Sequence, residues 1–345
     1  MIKDINQREK IRFRLILYIS VMLLLSVICL SITVGQYNIS LFDTIKALCN
    51  IIFHTTFSVS STAIAVIEKI RLPRTIAAFI VGSCLSVSGN AFQSTFNNKL
   101  VSSDVLGVSS GACVGAAIAI LLGVDSYFVS IFAFVFGLVS VSLALLLPKL
   151  FKNTSSLMLV LSGIIVGSLM DSIIGLIKFM ADKEEKLAEI TFWIMGELAG
   201  VSNAKIVTVL PIYIISIVGV FLLRWKLNVL SLGEEEARTV GLDYRLYRFA
   251  IIIFSTLLTA ASVSICGNVG WVGLVIPHIV RVIVGADNRF SMPIAFVFGG
   301  TFMILVDMLS RNLSLNEIPL SIITGIIGTV IYAVVLIRGG REVHE

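Results

Sequence analysis

Charge is what this sequence has least of. Only 14% of its 345 residues are Asp, Glu, Lys or Arg, while 57% are apolar. Globular domains carry about 25% charged residues, so a soluble enzyme, a disordered tail and a nucleic-acid reader are excluded, despite a net charge of +5. Cysteine chemistry is absent too. Cys29, Cys49, Cys84, Cys113 and Cys266 stand singly in apolar runs, with no CxxC pair to start a zinc site. No GxxxxGK[ST] occurs, so the chain has no P-loop with which to cradle ATP. HExxH and GxSxG are also missing, and no spacing joins Ser88 or Ser162 to His278 as a nucleophile and base.

What remains is apolar length. At about 20 residues per membrane-spanning helix, the composition has room for about ten. Runs divided by polar breaks predict ten spans, at 13–34, 75–92, 105–123, 128–147, 156–177, 205–223, 249–266, 269–285, 291–309 and 319–337. The run from Leu15 to Val34 exceeds the apolar core of a cleaved signal peptide and reads as a retained first span. With the basic segment 1–12 inside, 17 of the 26 Lys and Arg fall on the cytoplasmic side. That bias predicts an all-α polytopic chain, N-in and C-in, forming one transmembrane domain over 1–345. Small residues four apart, such as Gly107, Gly111 and Gly115, or Ser321, Gly325 and Thr329, predict close helix packing.

The exceptions carry the interest. Arg71 and Arg74, in RLPR, fall outside against the charge bias, which suggests a dock for an acidic partner. Inside, the charged segment 224–248 holds SLGEEEARTVG. Ser231 and Glu234 read as a capping box, and Gly241 as a stop, for a helix from Leu232 to Val240. Asp171 is the ionisable residue expected deepest in a span, whereas Arg281 and Asp307 lie nearer helix ends. RLPR leading to SGN at 88–90, and RLYR at 245–248 leading to CGN at 266–268, form a faint inverted echo.

These residues resemble a known family. RLPRTIAAFIVGSCLSVSGNAFQSTFNNKLVSSDVLGVSSGA at 71–112 is similar to the FecCD-type permeases of bacterial ABC importers for ferric siderophores, haem and cobalamin. So are LNVLSLGEEEARTVGLDYRLYR at 227–248, CGNVGWVGLVIPHIVRVIVGADNR at 266–289, and DMLSR with EIPLSIITGIIG at 307–311 and 317–328. Two departures are modest: Asn98, Lys99, Leu100 and Val101 replace Asn-Pro-Leu-Ala, and Gly267 with Asn268 replaces glycine-proline.

The resemblance implies a multi-pass subunit of the bacterial inner membrane, paired with an identical or closely related permease. It implies two cytoplasmic ATPase subunits, which would bind ATP and Mg; this chain would bind no cofactor and catalyse nothing. It further implies an external substrate-binding protein docked on Arg71, Arg74 and Arg311. The ATPase would engage the coupling element of Leu232, Gly233, Glu234, Glu235, Glu236, Ala237, Arg238, Gly241 and Leu242. Asn153, Thr154, Ser155 and Ser156 would form the cytoplasmic gate. A ferric siderophore is the expected cargo, with haem or cobalamin as alternatives. An ion-coupled carrier, for which Asp171 would be essential, is the competing class.

Overall fold

The computed structural model describes residues 2–151, 155–314 and 316–341, and all regular structure among them is helical. The chain enters through α1 (Ile2–Thr33) and a peripheral α2 (Leu41–Phe53), then α3 (Ser61–Val66), which runs on through a π-turn at Ile67–Arg71 into α4 (Leu72–Thr95). There follow α5 (Val108–Leu121), α6 (Ser126–Leu150), α7 (Ser156–Met180), α8 (Lys186–Met195) and α9 (Asn203–Leu230). The chain ends with α10 (Glu234–Thr239), α11 (Tyr244–Cys266), α12 (Val272–Val284), α13 (Asn288–Asn312) and α14 (Leu320–Arg341).

Seven helical stretches are long and apolar enough to cross a bilayer, and α5, α12 and α14 present shorter apolar stretches. Against the expectation of ten full-length spans, seven stretches among the described residues have the length and hydropathy to cross, and the other three are shorter. At 1.5 Å per residue, the 14 residues of α5 and the 13 of α12 reach only about 20 Å, against a hydrocarbon core of about 30 Å. Each is reached through coil buried in protein: Val101, Leu106 and Val108 before and at α5, and Val269 before α12. Irregular backbone is tolerated at such depth only under that cover.

The sequence reading also missed structure. It began the second span at 75, whereas the continuous helix starts at Ser61, and it left 41–53 and 186–195 unassigned. Ser40 caps α2, accepting from the Asp43 amide. That Ser-x-x-Asp pattern is a helix-start signal that was legible.

Burial centres on α4, which lies almost wholly inside the bundle among α9, α11, α12 and α13. Glycines allow the approach. A Cβ on Gly82 would lie 2.0 Å from the Gly299 carbonyl oxygen of α13, and one on Gly89 would lie 1.9 Å from that of Gly273 in α12. The predicted small-residue face of α5 is real: side chains added at Gly111 and Gly115 would strike Ser140 and Phe132 of α6. Gly325 of α14, by contrast, faces open space.

Candidate functional site

Two polar centres lie at opposite ends of the bundle, and α13 connects them. Its C-terminus carries Asp307 and Arg311, and its N-terminus carries Asp287 to Phe290. The 25 residues between its ends span about 37 Å. The end of α1, the start of α4 and the approach to α14 meet at the first centre. The start of α1, the ends of α9 and α12, and α10 meet at the second.

The first centre brings Arg71, Arg74 and Arg311 together, as the sequence reading expected, but all three are buried, at 3%, 5% and 7% exposure. Each is held by partners within the chain. Arg71 donates through Nη1 to the Ile32 and Thr33 carbonyls, both at 2.7 Å, and through Nη2 to that of Tyr37. Arg74 Nε donates to Asp307 Oδ1 at 2.6 Å, while its two Nη atoms grip both oxygens of Glu317 at 2.7 and 2.8 Å. Arg311 Nη2 donates to the carbonyl and hydroxyl of Ser31 at 2.6 and 2.8 Å, and its Nε stands 3.6 Å from Asp307 Oδ2. A cavity of about 210 Å³ opens over them, bounded by Gln36, Tyr37 and Glu317. Glu317, with a third of its side chain exposed, is the acidic member nearest solvent.

Asp307 and Glu317 are the residues the sequence reading missed. Asp307 is fully buried within the chain, whereas Asp171 lies on the exposed surface of α7. Helix-end counting cannot reveal a partner 233 residues away.

At the opposite end, α10 stands between α9 and α11. Ser231 does not cap it. The last turn of α9 claims that residue, whose amide donates to Leu227 O at 3.0 Å and whose hydroxyl donates to Asn228 O at 2.8 Å. The chain then turns at Gly233, with φ +122°, and the helix occupies only Glu234–Thr239. Its end is as expected. Gly241 adopts φ +73°, and the Leu242 amide donates to Ala237 O at 3.0 Å, closing a Schellman turn. Ala237 is buried; Glu235, Glu236 and Arg238 are exposed, and Arg238 pairs with Glu234 at 2.6 Å. Leu232 and Val240 flank the helix at 66% and 59% exposure, an apolar pair without cover from this chain.

Beneath α10, Asn228 donates to Asp287 Oδ1 at 2.6 Å and accepts from the Asn288 amide at 2.8 Å. Arg281 reaches Gln93 Oε1 at 2.7 Å and Asn90 Oδ1 at 2.8 Å. These bonds tie α4, α9, α12 and α13 together. Of the expected gate, Asn153 and Thr154 lie outside the described residues. Ser155 caps α7, accepting from the Met158 amide, and Ser156 accepts from Arg248 Nη2 at 3.0 Å.

The sequence model of the FecCD transport family matches residues 23–338. The chain belongs to the FecCD transport family. This FecCD permease is 35% identical over 332 residues to the molybdate import system permease protein MolB of Haemophilus influenzae, covering 95% of this chain and 97% of that one. It is also 35% identical over 279 residues to a protein of Helicobacter pylori described as a probable iron chelatin transport system permease, covering 81% and 84%. A solved structure described as a metal-chelate type ABC transporter, in an inward-facing conformation, superposes with a TM-score of 0.84 at 34% identity, over 94% of this chain and 99% of that one. FecCD permeases are multi-pass transport subunits of ABC importers that work with partner permease and ATPase subunits, so ATP hydrolysis belongs to a separate chain.

Proposed function

We propose that this chain moves a metal-carrying complex, a ferric siderophore first of all, inward across the bacterial inner membrane from an external binding protein. The observation that carries this reading is the separation of the two centres. An arginine centre with a solvent-facing carboxylate occupies one end of α13, and a short exposed helix with uncovered Leu232 and Val240 occupies the other. In this reading α10 seats in the ATPase, its end is cytoplasmic, and ten helices cross with both termini inside. Acidic side chains of the binding protein approach the arginine cavity and compete with Glu317 for Arg74. Arg71 and Arg311, tied to backbone carbonyls, hold the floor of that dock. Ser155 and Ser156 belong to the cytoplasmic gate, and release of Ser156 from Arg248 accompanies opening.

Reconstitution in proteoliposomes with the ATPase and binding protein tests it. ATP-dependent uptake of an iron siderophore is expected, and it should be lost when Glu235 and Arg238 are replaced by alanine. Uptake by this chain alone, driven by a proton gradient, would reject the proposal. A second cargo is favoured by one finding: the relative named for molybdate matches nearly its whole length. Labelled molybdate, haemin and cobalamin offered in parallel separate these cargoes.

A further inference from the structure

On the side of the bundle near α10, the end of α6, the start of α7 and the start of α11 enclose a cavity of about 260 Å³. Three cations line it, Lys149, Arg245 and Arg248, with no carboxylate among the lining residues. Each cation has an apolar neighbour on its own helix, one turn deeper: Leu145 for Lys149, Phe249 for Arg245 and Ile252 for Arg248. The charges therefore share one level of the cavity, and the apolar side chains line it one turn further along the same helices. Around the mouth, Leu146, Leu150 and Leu157 are exposed.

Lys149 is exposed and forms no ion pair among the described residues. Arg245 is largely exposed, and its nearest carboxylate, Glu234, stands 3.8 Å from Nε. Arg248 is buried against the rings of Phe96 and Tyr244 and donates to Ser156. A soluble anion would meet the charged level only. A soluble protein would have no use for an apolar wall that continues into the exposed leucines of a membrane-facing helix. A molecule with an anionic head and a hydrocarbon body matches both layers.

We propose that this cavity binds one anionic phospholipid, its phosphodiester held by Lys149, Arg245 and Arg248 and an acyl chain laid along Leu145, Phe249 and Ile252. Because Arg248 also holds Ser156 at the head of α7, the bound lipid braces the start of α7 against α11. Placing this lipid in the inner leaflet is the one part of the proposal that rests on the orientation proposed above.

Native mass spectrometry of the purified full-length chain, titrated with dioleoylphosphatidylglycerol or dioleoylphosphatidylcholine, tests the site without any transport step or ATPase. Failure of the importer reading would thus leave this result intact, and the reverse holds too. The unaltered chain should retain phosphatidylglycerol in preference. At about a fivefold gain per basic residue near the headgroup, K149Q with R245Q, both at exposed positions, should weaken its binding about 30-fold with an unchanged elution profile, and K149R should restore its share. L145W should fill the wall and displace the lipid with all charges kept. Equal retention of the two lipids, or indifference to K149Q/R245Q, would overturn the proposal. So would displacement by millimolar inorganic phosphate together with normal binding by L145W, which would mark a plain anion site. Loss of ATPase attachment in K149Q/R245Q with unchanged lipid binding would assign the surface to a protein and would equally overturn it.

Discussion

Removing Asp307 is the sharpest test of the arginine centre. Its carboxylate has no solvent exposure, accepts from Arg74 Nε at 2.6 Å, and lies 3.6 Å from Arg311 Nε. The latter distance is too long for a hydrogen bond, so Arg311 feels Asp307 as charge alone. Breaking a buried ion pair by deleting one member costs about 3–5 kcal/mol, because the survivor is left uncompensated. Here Arg74 keeps both bonds to Glu317 and Arg311 keeps Ser31, so Asp307→Ala should fall near the lower figure, about 3 kcal/mol. Replacing both charges by apolar groups, Arg74→Met with Asp307→Leu, should cost less than the two single changes added together, since Glu317 can turn to water. The midpoint of unfolding in detergent, followed by the fluorescence of Trp193, Trp225 and Trp271, measures all variants. A shift within about 0.5 kcal/mol for Asp307→Ala, the size of an ordinary surface change, would refute the reasoning, as would strict additivity. The result also governs how docking experiments are read: reversing charge at Arg74 disturbs the fold before it disturbs any partner.

Three further outcomes are expected. Gly82→Ala should sharply lower the yield of monodisperse protein in size-exclusion chromatography, because its Cβ meets backbone at 2.0 Å, whereas Gly175→Ala and Gly325→Ala, which meet nothing within 4 Å, should match the unaltered chain. Glu234→Gln removes an exposed pair with Arg238 of a kind worth about 0.3–0.5 kcal/mol on a helix, so thermal unfolding should not change measurably. Burial pushes the Asp287 carboxyl up, but bonds from Arg289 and Asn228 outweigh this and hold it below the usual carboxylate range. Its stabilising contribution is therefore present above the ordinary Asp value of about 3.9 and fades as pH falls through the lowered one; Asp287→Asn should flatten that part of an acid titration of thermal midpoint.

The apolar runs made the helices legible, since a buried or lipid-facing helix needs little beyond length and hydropathy. Their true extents were not. Whether α5 starts at 105 or 108, and whether 61–71 joins α4, depends on coil and helix buried by other parts of the chain. The short helix after α9 was located in the sequence but mis-capped, because Ser231 is an equally good end for α9, and the positive φ at Gly233 decides between them. The arginines were found by breaking the charge bias. Their carboxylate partners were not, because Asp307 and Glu317 look unremarkable until the fold brings them 233 and 243 residues back to Arg74.

The packing also says which parts of the bundle hold together. α4 and α13 are fastened at three levels: Arg74 to Asp307 at one end, the Gly82 and Gly299 backbones in contact along their length, and Asn90 and Ser94 bonded to Asn288 Oδ1 at 3.2 and 3.0 Å at the other. Sliding one helix past the other would break a buried ion pair, a close backbone contact and a buried amide network at once, so the two behave as one rigid unit. Through Asn288 and Asp287, Asn228 ties the end of α9, and hence the root of α10, to that unit. A force applied at α10 therefore reaches the arginine centre about 37 Å away through stiff helices, without a chain of side-chain rearrangements. The faces free to change neighbours lie elsewhere, on α7 and α14, where Gly175 and Gly325 meet nothing of this chain.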